Sequence, residues 1–183
     1  MRYSLNDFCT DVRSILQKQD DHDGRERVRQ KLELLLGCPE FRAEYLGADE
    51  PSGERKIHED PELHFCVLTY HMTTPRASAP HDHGDSWAVY GQAEGHTDMT
   101  TWQAGDGEVI PVRTFRLEPG QAGLFDVREI HSVRYTEGAK FVRVTGVDLS
   151  TVSRRVYDPE TGTVREVGRV DAGNARSRPS ADG

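Results

Sequence analysis

The sequence predicts a mainly β protein of the sandwich or barrel type that begins with two α-helices. Apolar residues at helical spacing occur in the N-terminal part, as far as Leu36. From about residue 52 onward, short β-prone runs alternate with Gly, Pro and Asp turns, and no helical stretch separates them. Strands at this spacing are typical of sandwiches and barrels, and the length of 183 residues suits one such domain.

The two predicted helices have start and stop signals. The first is predicted from five apolar residues at helical spacing, which are Leu5, Phe8, Val12, Ile15 and Leu16. Ser4, with Asp7 three residues later, is a start signal for this helix. The second helix is predicted over residues 25–36, where Gly37 and Pro39 end it, and residues 20–24 are expected to form the loop between the helices.

Nine runs are predicted to be strands. They cover residues 63–72, 86–93, 97–103, 109–117, 122–127, 131–135, 140–149, 153–157 and 163–170. The predicted single domain therefore consists of a helical segment, residues 1–50, packed on a barrel of residues 51–170. Residues 171–183 are rich in Gly, Ala, Ser, Arg and Pro, lack an apolar pattern, and are predicted to be disordered.

Composition and charge argue against several classes of partner. The net charge of −8 disfavours nucleic acid, because phosphate binding needs clustered Lys and Arg. No apolar run approaches the ~20 residues that span a bilayer, and no hydrophobic segment follows Met1, so no membrane partner is expected and the cytoplasm is predicted. Cys9, Cys38 and Cys66 are expected to be reduced thiols, with Cys66 packed in an apolar strand. The β-edges and N-terminal helices could support a homodimer.

Three histidines form the most informative pattern in the sequence. Residues i and i+2 of a strand point to the same face, so His81 and His83 can both reach one metal ion. A third imidazole is expected from His131, which starts a later strand that barrel closure could bring opposite the first pair. The alternative is that His81 and His83 are solvated on a loop while His131 is a hydrogen-bonded core residue. We predict a metal site.

The pattern resembles the cupin superfamily, and within it the three-histidine branch that includes cysteine dioxygenase. The resemblance rests on His81-Asp82-His83 with its spacing to Gly95, on residues 123–131, and loosely on the turn at residues 158–162. It covers about residues 52–165, with preceding helices as that family also has. The resemblance implies a double-stranded β-helix of the jelly-roll type, a non-haem iron(II) centre, and O2 as co-substrate.

The chain lacks a carboxylate that many cupins carry four or five positions after the second histidine, since Trp87 and Ala88 stand there. Three neutral imidazoles leave the +2 charge of an ion uncompensated and several coordination positions open. Such a centre favours an anionic substrate ligand, a thiolate, enolate or phenolate, so a dioxygenase for a small anionic molecule is predicted. The same triad could instead hold zinc or nickel in a hydrolase or isomerase. A non-catalytic cupin that binds a small ligand is the third alternative.

A second ligand set also fits the sequence. His83-Gly84-Asp85 is a His-x-Asp, and with His131 it would form the two-histidine, one-carboxylate triad of other iron oxygenases. In that arrangement His81 would lie outside the metal site. Neither His71 nor His96 is expected to be a ligand.

Further residues are candidates for the substrate pocket or for support of the ligands. Arg55 stands near the place where cysteine dioxygenases carry an arginine for the substrate carboxylate, with a solvated arginine as the alternative. Trp87 shares strand parity with His81 and His83, so it is expected to wall the pocket or to pack in the core. The remaining candidates are Tyr90 for the pocket, and Asp126, Glu129 and Tyr135 as hydrogen-bonding neighbours of the ligands.

The sequence departs from cysteine dioxygenase at two places. Ala88 stands where the mammalian enzymes carry the cysteine of a thioether crosslink, and Val144, Thr145 and Gly146 stand where the family's active-site tyrosine would fall. Cysteine itself is therefore not the expected substrate. A different thiol, or a chelating non-thiol such as a diketone or phenolic ketone, fits about equally well. Asp82, between the two predicted ligands, is expected to point to the opposite face.

Overall fold

The computed structural model describes residues 3–105 and 107–168, which form three α-helices, eleven β-strands and one short 3-10 helix. The helices are α1 (Leu5–Lys18), α2 (His22–Leu36) and α3 (Pro39–Tyr45). The strands are β1 (Gly53–Glu59), β2 (Cys66–Met72), β3 (Arg76–Ala77), β4 (Ala88–Glu94), β5 (Thr97–Gly105), β6 (Glu108–Leu117), β7 (Ala122–Phe125), β8 (Ile130–Tyr135), β9 (Ala139–Thr145), β10 (Arg154–Tyr157) and β11 (Val164–Val167). The 3-10 helix, Leu149–Thr151, follows β9. The tail predicted from residue 171 lies outside the described residues.

Side-chain caps fix the starts of the first two helices. The Ser4 hydroxyl accepts a hydrogen bond from the Asp7 amide at 3.2 Å, and the Asp7 carboxylate accepts one from the Ser4 amide at 2.9 Å, which confirms the predicted start of α1. Helix α2 begins at His22 rather than at residue 25, because the Asp21 carboxylate accepts from the Gly24 amide at 3.1 Å. The predicted loop therefore shrinks to residues 19–21.

Loss of the α1 cap gives a direct test of this local structure. We expect Ser4→Ala to lower the free energy of unfolding by about 1 kcal/mol, because the Asp7 amide loses its acceptor. Urea unfolding followed by circular dichroism measures the change. Asn6→Ala, an exposed change in the same helical turn, is the matched control and is expected to cost nothing. Equal unfolding midpoints for the Ser4→Ala and Asn6→Ala variants would contradict the assignment.

The strands form the two facing sheets of a jelly roll. One sheet has the order β1-β2-β9-β4-β7, and the other has the order β3-β8-β5-β6. With β1 set aside at its edge, β2 to β9 divide between the sheets as in the eight-stranded jelly roll of two Greek keys. The predicted fold class is therefore confirmed: a mainly β, double-stranded β-helix with N-terminal helices. The prediction missed α3, β1 and β3.

Two apolar clusters lie on opposite faces of the five-stranded sheet. The outer cluster packs the helices on this sheet and includes Phe8, Leu32 and Val89. The inner cluster fills the space between the sheets and includes Tyr90 and Phe141. Val89 and Tyr90 are neighbours in β4, so the strand alternation sends one side chain to each cluster. Because the helices cover the outer face, the inner face is left to form the site.

A two-stranded hairpin, β10–β11, completes the described part of the chain. Its strands pair with each other, and Val156 of β10 also forms an isolated bridge with His81. The 3-10 helix Leu149–Thr151 leads into this hairpin, so the strand predicted over residues 140–149 ends earlier, at Thr145. None of the described helices is long and apolar enough to cross a membrane.

Candidate metal centre

The structure brings His81, His83 and His131 together at one place on the inner face of the barrel. Their ring centroids are 4.7 Å apart for His81 and His131, 4.8 Å for His83 and His131, and 5.3 Å for His81 and His83. One potential ligand atom from each residue lies within 4.8 Å of the other two. Two stretches that are about 50 residues apart in the sequence thus supply one compact set of nitrogen donors.

Backbone hydrogen bonds hold His81 between two strands. The His81 amide donates to the His131 carbonyl at 2.9 Å, and the His131 amide donates back to the His81 carbonyl at 3.0 Å. On the other side of this segment, the Tyr157 amide donates to the Pro80 carbonyl at 2.8 Å. His81 is therefore fixed on both flanks, by β8 and by β10.

Backbone carbonyls also set the ring orientation of two of the histidines. His81 Nδ1 lies 2.9 Å from the Ala79 carbonyl oxygen, and His131 Nδ1 lies 3.4 Å from the Glu129 carbonyl oxygen. A carbonyl can only accept, so each Nδ1 carries the hydrogen and each Nε2 keeps a free lone pair. His131 Nε2 is buried and has no hydrogen-bond partner in the described structure. This tautomer leaves Nε2 able to bind a metal ion, while the carbonyl at Nδ1 holds the ring in place.

Burial keeps the three imidazoles uncharged. His131 is 0% exposed, His83 is 3% exposed and His81 is 8% exposed. Burial lowers the pKa of His81, and it lowers the pKa values of His83 and His131 well below the usual value, with repulsion between the rings adding to the effect. Three neutral imidazoles, two of them oriented by backbone carbonyls and one with an unpaired Nε2, fit a divalent transition metal.

Asp85, the alternative ligand, lies outside this group. Its side chain is 78% exposed and its carboxylate pairs with Arg128 at 2.7 Å. The left-handed backbone of Gly84, with φ +59°, breaks the strand alternation after His83. The two-histidine, one-carboxylate ligand set is therefore wrong for this structure.

The same break explains why Trp87 does not wall the pocket. Trp87 is buried in the outer cluster, against the helices, so the prediction of a pocket wall is wrong and the core alternative holds. Parity counted from His81 and His83 cannot be continued through the turn at Gly84. Tyr90 does face the histidines, and its hydroxyl oxygen lies 3.4 Å from His83 Nε2. Burial raises the pKa of Tyr90, so this hydroxyl stays protonated.

A cleft of about 380 Å³ opens beside His81 and Tyr90. Its wall combines aromatic and cationic side chains with one carboxylate. Besides His81 and Tyr90, the polar members are Glu54, Tyr70, Arg76, Ser78, Tyr135, Arg143 and Arg154. Tyr135 stacks on Phe141 at 5.1 Å, and burial raises the pKa of Tyr135 to about 12. We call residues 81–85, which carry His81 and His83, the histidine loop. A larger cavity of about 750 Å³ lies at the other side of this loop, but none of the three histidines lines it.

Arg55 does not reach this cleft, and Arg143 does. The Arg55 guanidinium pairs with Glu50 at 2.7 Å and lines a separate pocket with Tyr45, so its assignment to the substrate pocket is wrong. Arg143 of β9 lies over the Tyr70 ring at 4.9 Å, is 17% exposed, and has a buried Nε without a hydrogen-bond partner in the described structure. Arg143 was not among the residues that the sequence predicted for the site. Strand β9 is largely apolar apart from Lys140 and Arg143, and a charge inside such a buried run is the signal that could have found Arg143.

The two acidic residues near His131 have structural partners instead of ligand imidazoles. The Asp126 carboxylate pairs with Arg25 at 3.0 Å and with His22 at 2.5 Å, both on α2. The Glu129 carboxylate accepts from the Asp126 amide at 2.8 Å, and it is the Glu129 backbone carbonyl that lies near His131. The predicted role of these two carboxylates as hydrogen-bond partners of the ligand histidines is therefore wrong.

Other potential ligands in the described residues have different surroundings. His71 Nδ1 lies 3.3 Å from the Glu50 carbonyl oxygen, away from the triad. A second group of potential ligands, Glu59, Cys66 and Asp148, surrounds the Lys56 ammonium, which contacts Glu59 at 2.6 Å and Asp148 at 2.8 Å. Burial raises the pKa of the Cys66 thiol to about 11, which fits a packed, protonated side chain.

Comparison with known proteins gives matches at the level of structure. No family model and no curated protein matches the sequence. The cupin domain of Cnp3 from Schizosaccharomyces pombe is 9% identical with a TM-score of 0.42, and the match covers 52% of this chain and 60% of that one. A cupin superfamily protein from Desulfitobacterium hafniense is 12% identical with a TM-score of 0.42, covering 54% and 84%. KdgF from a Halomonas species is 14% identical with a TM-score of 0.41, covering 50% and 76%.

Proposed function

We propose that this chain is a metal-dependent dioxygenase of the cupin superfamily that uses O2 to oxidise a small anionic substrate. His81, His83 and His131 would hold the metal, iron(II), through one ring nitrogen each, which is Nε2 for His81 and His131. The observation that carries the proposal is the set of three buried, neutral imidazoles beside a cleft lined by arginines. The resemblance to the three-histidine branch of the cupins supports the choice of iron and of thiol-like or enolate-like substrates.

Charge is the reason for an anionic substrate. Three neutral nitrogen donors leave the +2 charge of the ion without a protein counter-charge, and Arg76, Arg143 and Arg154 add cations to the adjacent cleft, where Glu54 is the carboxylate. A thiolate, enolate or phenolate would therefore be attracted to the site. Iron(II), when bound, would supply the redox chemistry that lets O2 react with the substrate, which is the net electron donor.

The residues around the ligands would orient the substrate and limit the access of water. The Phe125 ring stacks on His131 at 4.0 Å and closes the inner side of the site. The Tyr90 hydroxyl, near both His83 and Arg143, can donate a hydrogen bond to a group placed between them. Tyr70 and Tyr135 form the aromatic sides of the cleft. A reducing compartment such as the cytoplasm suits the free thiols of Cys9, Cys38 and Cys66.

Metal analysis combined with oxygen uptake tests the proposal. We expect protein purified without added metal to contain iron, and the iron(II) form to consume O2 when small thiols or diketones are added. An oxygen electrode measures the uptake, and the same protein loaded with zinc is the control that should consume none. Zinc or nickel in the purified protein, with hydrolysis or isomerisation of a substrate, would instead support the alternative enzyme class on this triad. No uptake across the panel would favour a binding protein.

A further inference from the structure

Asp82 carries a buried carboxylate whose hydrogen-bonding capacity is filled. The side chain is 0% exposed. Oδ1 accepts from the Gly84 amide at 3.0 Å and from the Arg155 amide at 3.0 Å, while Oδ2 accepts from Arg155 Nε at 2.9 Å and from the Tyr157 hydroxyl at 3.2 Å. Burial of a charge is costly unless it is paired in this way. Because these partners come from β10 and from the loop that carries two of the three histidines, the paired carboxylate points to a geometric role.

Three of the four donors to Asp82 come from β10. The backbone adds two more links, because the Asp82 amide donates to the Arg155 carbonyl at 3.1 Å and the Tyr157 amide donates to the Pro80 carbonyl. Between these links, His81 forms isolated bridges with Val156 on one side and with His131 on the other. The position of β10 is thus tied directly to the segment that carries His81 and His83.

The side chains on the two faces of β10 contact different parts of the protein. Arg155 and Tyr157 contact Asp82, whereas Arg154 and Val156 line the cleft beside His81. This is the alternation expected of a strand. A further attachment of the hairpin is the packing of Tyr157 with Val109 and Ile130. The bonds to Asp82 therefore determine how close Arg154 and Val156 stand to the histidines.

We propose that β10 is the substrate-selecting wall of the cleft and that Asp82 is the positioning residue that holds this wall against the histidine loop. The wall presents one cation, Arg154, and one apolar side chain, Val156, to the part of a bound anion that projects away from the metal. This inference rests on the proposed metal site. It concerns which anions fit beside the ion, and it holds for any reaction carried out there.

The effect of Asp82→Asn tests the inference. Asn keeps the size of the side chain, but its NH2 group cannot accept. At the position of Oδ2 it removes the acceptor of both Arg155 Nε and the Tyr157 hydroxyl, and at the position of Oδ1 it removes the acceptor of the Gly84 and Arg155 amides. We expect amide hydrogen exchange over residues 154–157 to accelerate about tenfold or more, while the exchange rates of α1 stay unchanged. We also expect the affinity for cobalt(II) to fall about tenfold. Asp85→Asn is the matched control, because Asp85 lies on the same loop but is exposed, and it should change neither measurement.

Titration of two anions into the cobalt(II)-loaded protein separates positioning from general destabilisation. Azide is small enough to bind the metal without contacting β10. Mercaptoacetate is longer, and we expect it to extend from the metal towards β10. We expect Asp82→Asn to weaken mercaptoacetate at least about fivefold and to leave azide unchanged, as followed in the visible spectrum of cobalt. Equal weakening of both anions, or of neither, would overturn the inference.

Two features keep this test independent of the proposed reaction and of folding. The titrations need no O2 and no turnover, so a protein without dioxygenase activity can still confirm the inference. If no metal binds, the proposed function fails. Hydrogen exchange of the metal-free protein then still tests whether Asp82 holds β10 in place. If Asp82→Asn does not fold, Tyr157→Phe removes one donor without stranding a buried charge, and it should shift exchange and anion selectivity in the same direction by a smaller factor. A Tyr157→Phe variant identical to the wild type in both would reject the inference.

Discussion

His131→Ala is expected to abolish metal retention by the purified protein. His131 is fully buried, its Nε2 has no hydrogen-bond partner in the described structure, and its ring lies within 4.8 Å of each of the other two by centroid. Removing a residue that only hydrogen-bonds a metal ligand commonly lowers metal affinity about 10–100-fold. Removing a ligand itself should therefore lower it more than about 100-fold. Inductively coupled plasma mass spectrometry of the dialysed protein measures the metal content per chain and tests this expectation.

His71→Ala is the matched control for this experiment. His71 contacts a backbone carbonyl away from the triad, so its removal should leave the metal content unchanged. The buried position of His131 raises the concern that truncation unfolds the protein, and His131→Gln, which fills more of the volume, answers it. Thermal unfolding with and without a chelator then separates loss of the ion from loss of the fold. Metal lost from His71→Ala but kept by His131→Ala would show that the ligand assignment is wrong.

Most of the fold could be predicted because burial periodicity is written into the sequence. Helix α1 repeats apolar residues at helical spacing, and most of the strands from β2 onward are short β-prone runs bounded by turn residues. Strand β1 escaped detection because it is an edge strand rich in charged residues, and none of its side chains is fully buried. Helix α3 was missed because Pro39 was interpreted only as a stop for α2. Proline is also favoured at the first position of a helix, and Pro39 occupies that position in α3.

For the candidate site, the features set by local geometry and by the jelly roll could be predicted, whereas some placements set by tertiary packing could not. The pairing of His81 with His83 follows from neighbouring positions along the chain, and the convergence of His131 follows from the way the jelly roll places β8. Trp87 and Asp85 were misplaced because one glycine with positive φ lies between them and His83. Arg55 was misplaced because its partner, Glu50, is set by the packing of β1, which the sequence pattern did not show.

Arg143→Gln is expected to weaken the binding of anionic ligands to the metal-loaded protein by about 10–100-fold. A hydrogen bond to a charged group contributes about 1.5–3 kcal/mol, and this range corresponds to that factor. Arg143 lies in the cleft beside Tyr90, and its buried Nε lacks a hydrogen-bond acceptor in the described structure, although Glu54 stands 3.4 Å from the guanidinium. A buried N–H donor without an acceptor, next to a cation site, is suited to an acceptor that arrives with the ligand.

A matched pair of ligands makes this prediction specific. Mercaptoacetate and 2-mercaptoethanol share the thiol and the carbon number, but only the first carries a carboxylate. The wild type should prefer mercaptoacetate in calorimetric titrations of the cobalt(II) form, and Arg143→Gln should bind the two about equally, because only the carboxylate contact is removed. Arg55→Gln, which removes an arginine that pairs with Glu50 outside the cleft, should keep the wild-type preference. If the preference disappears in Arg55→Gln and survives in Arg143→Gln, the anion enters from the side of β1, and Arg143 serves to support the stacked Tyr70 ring.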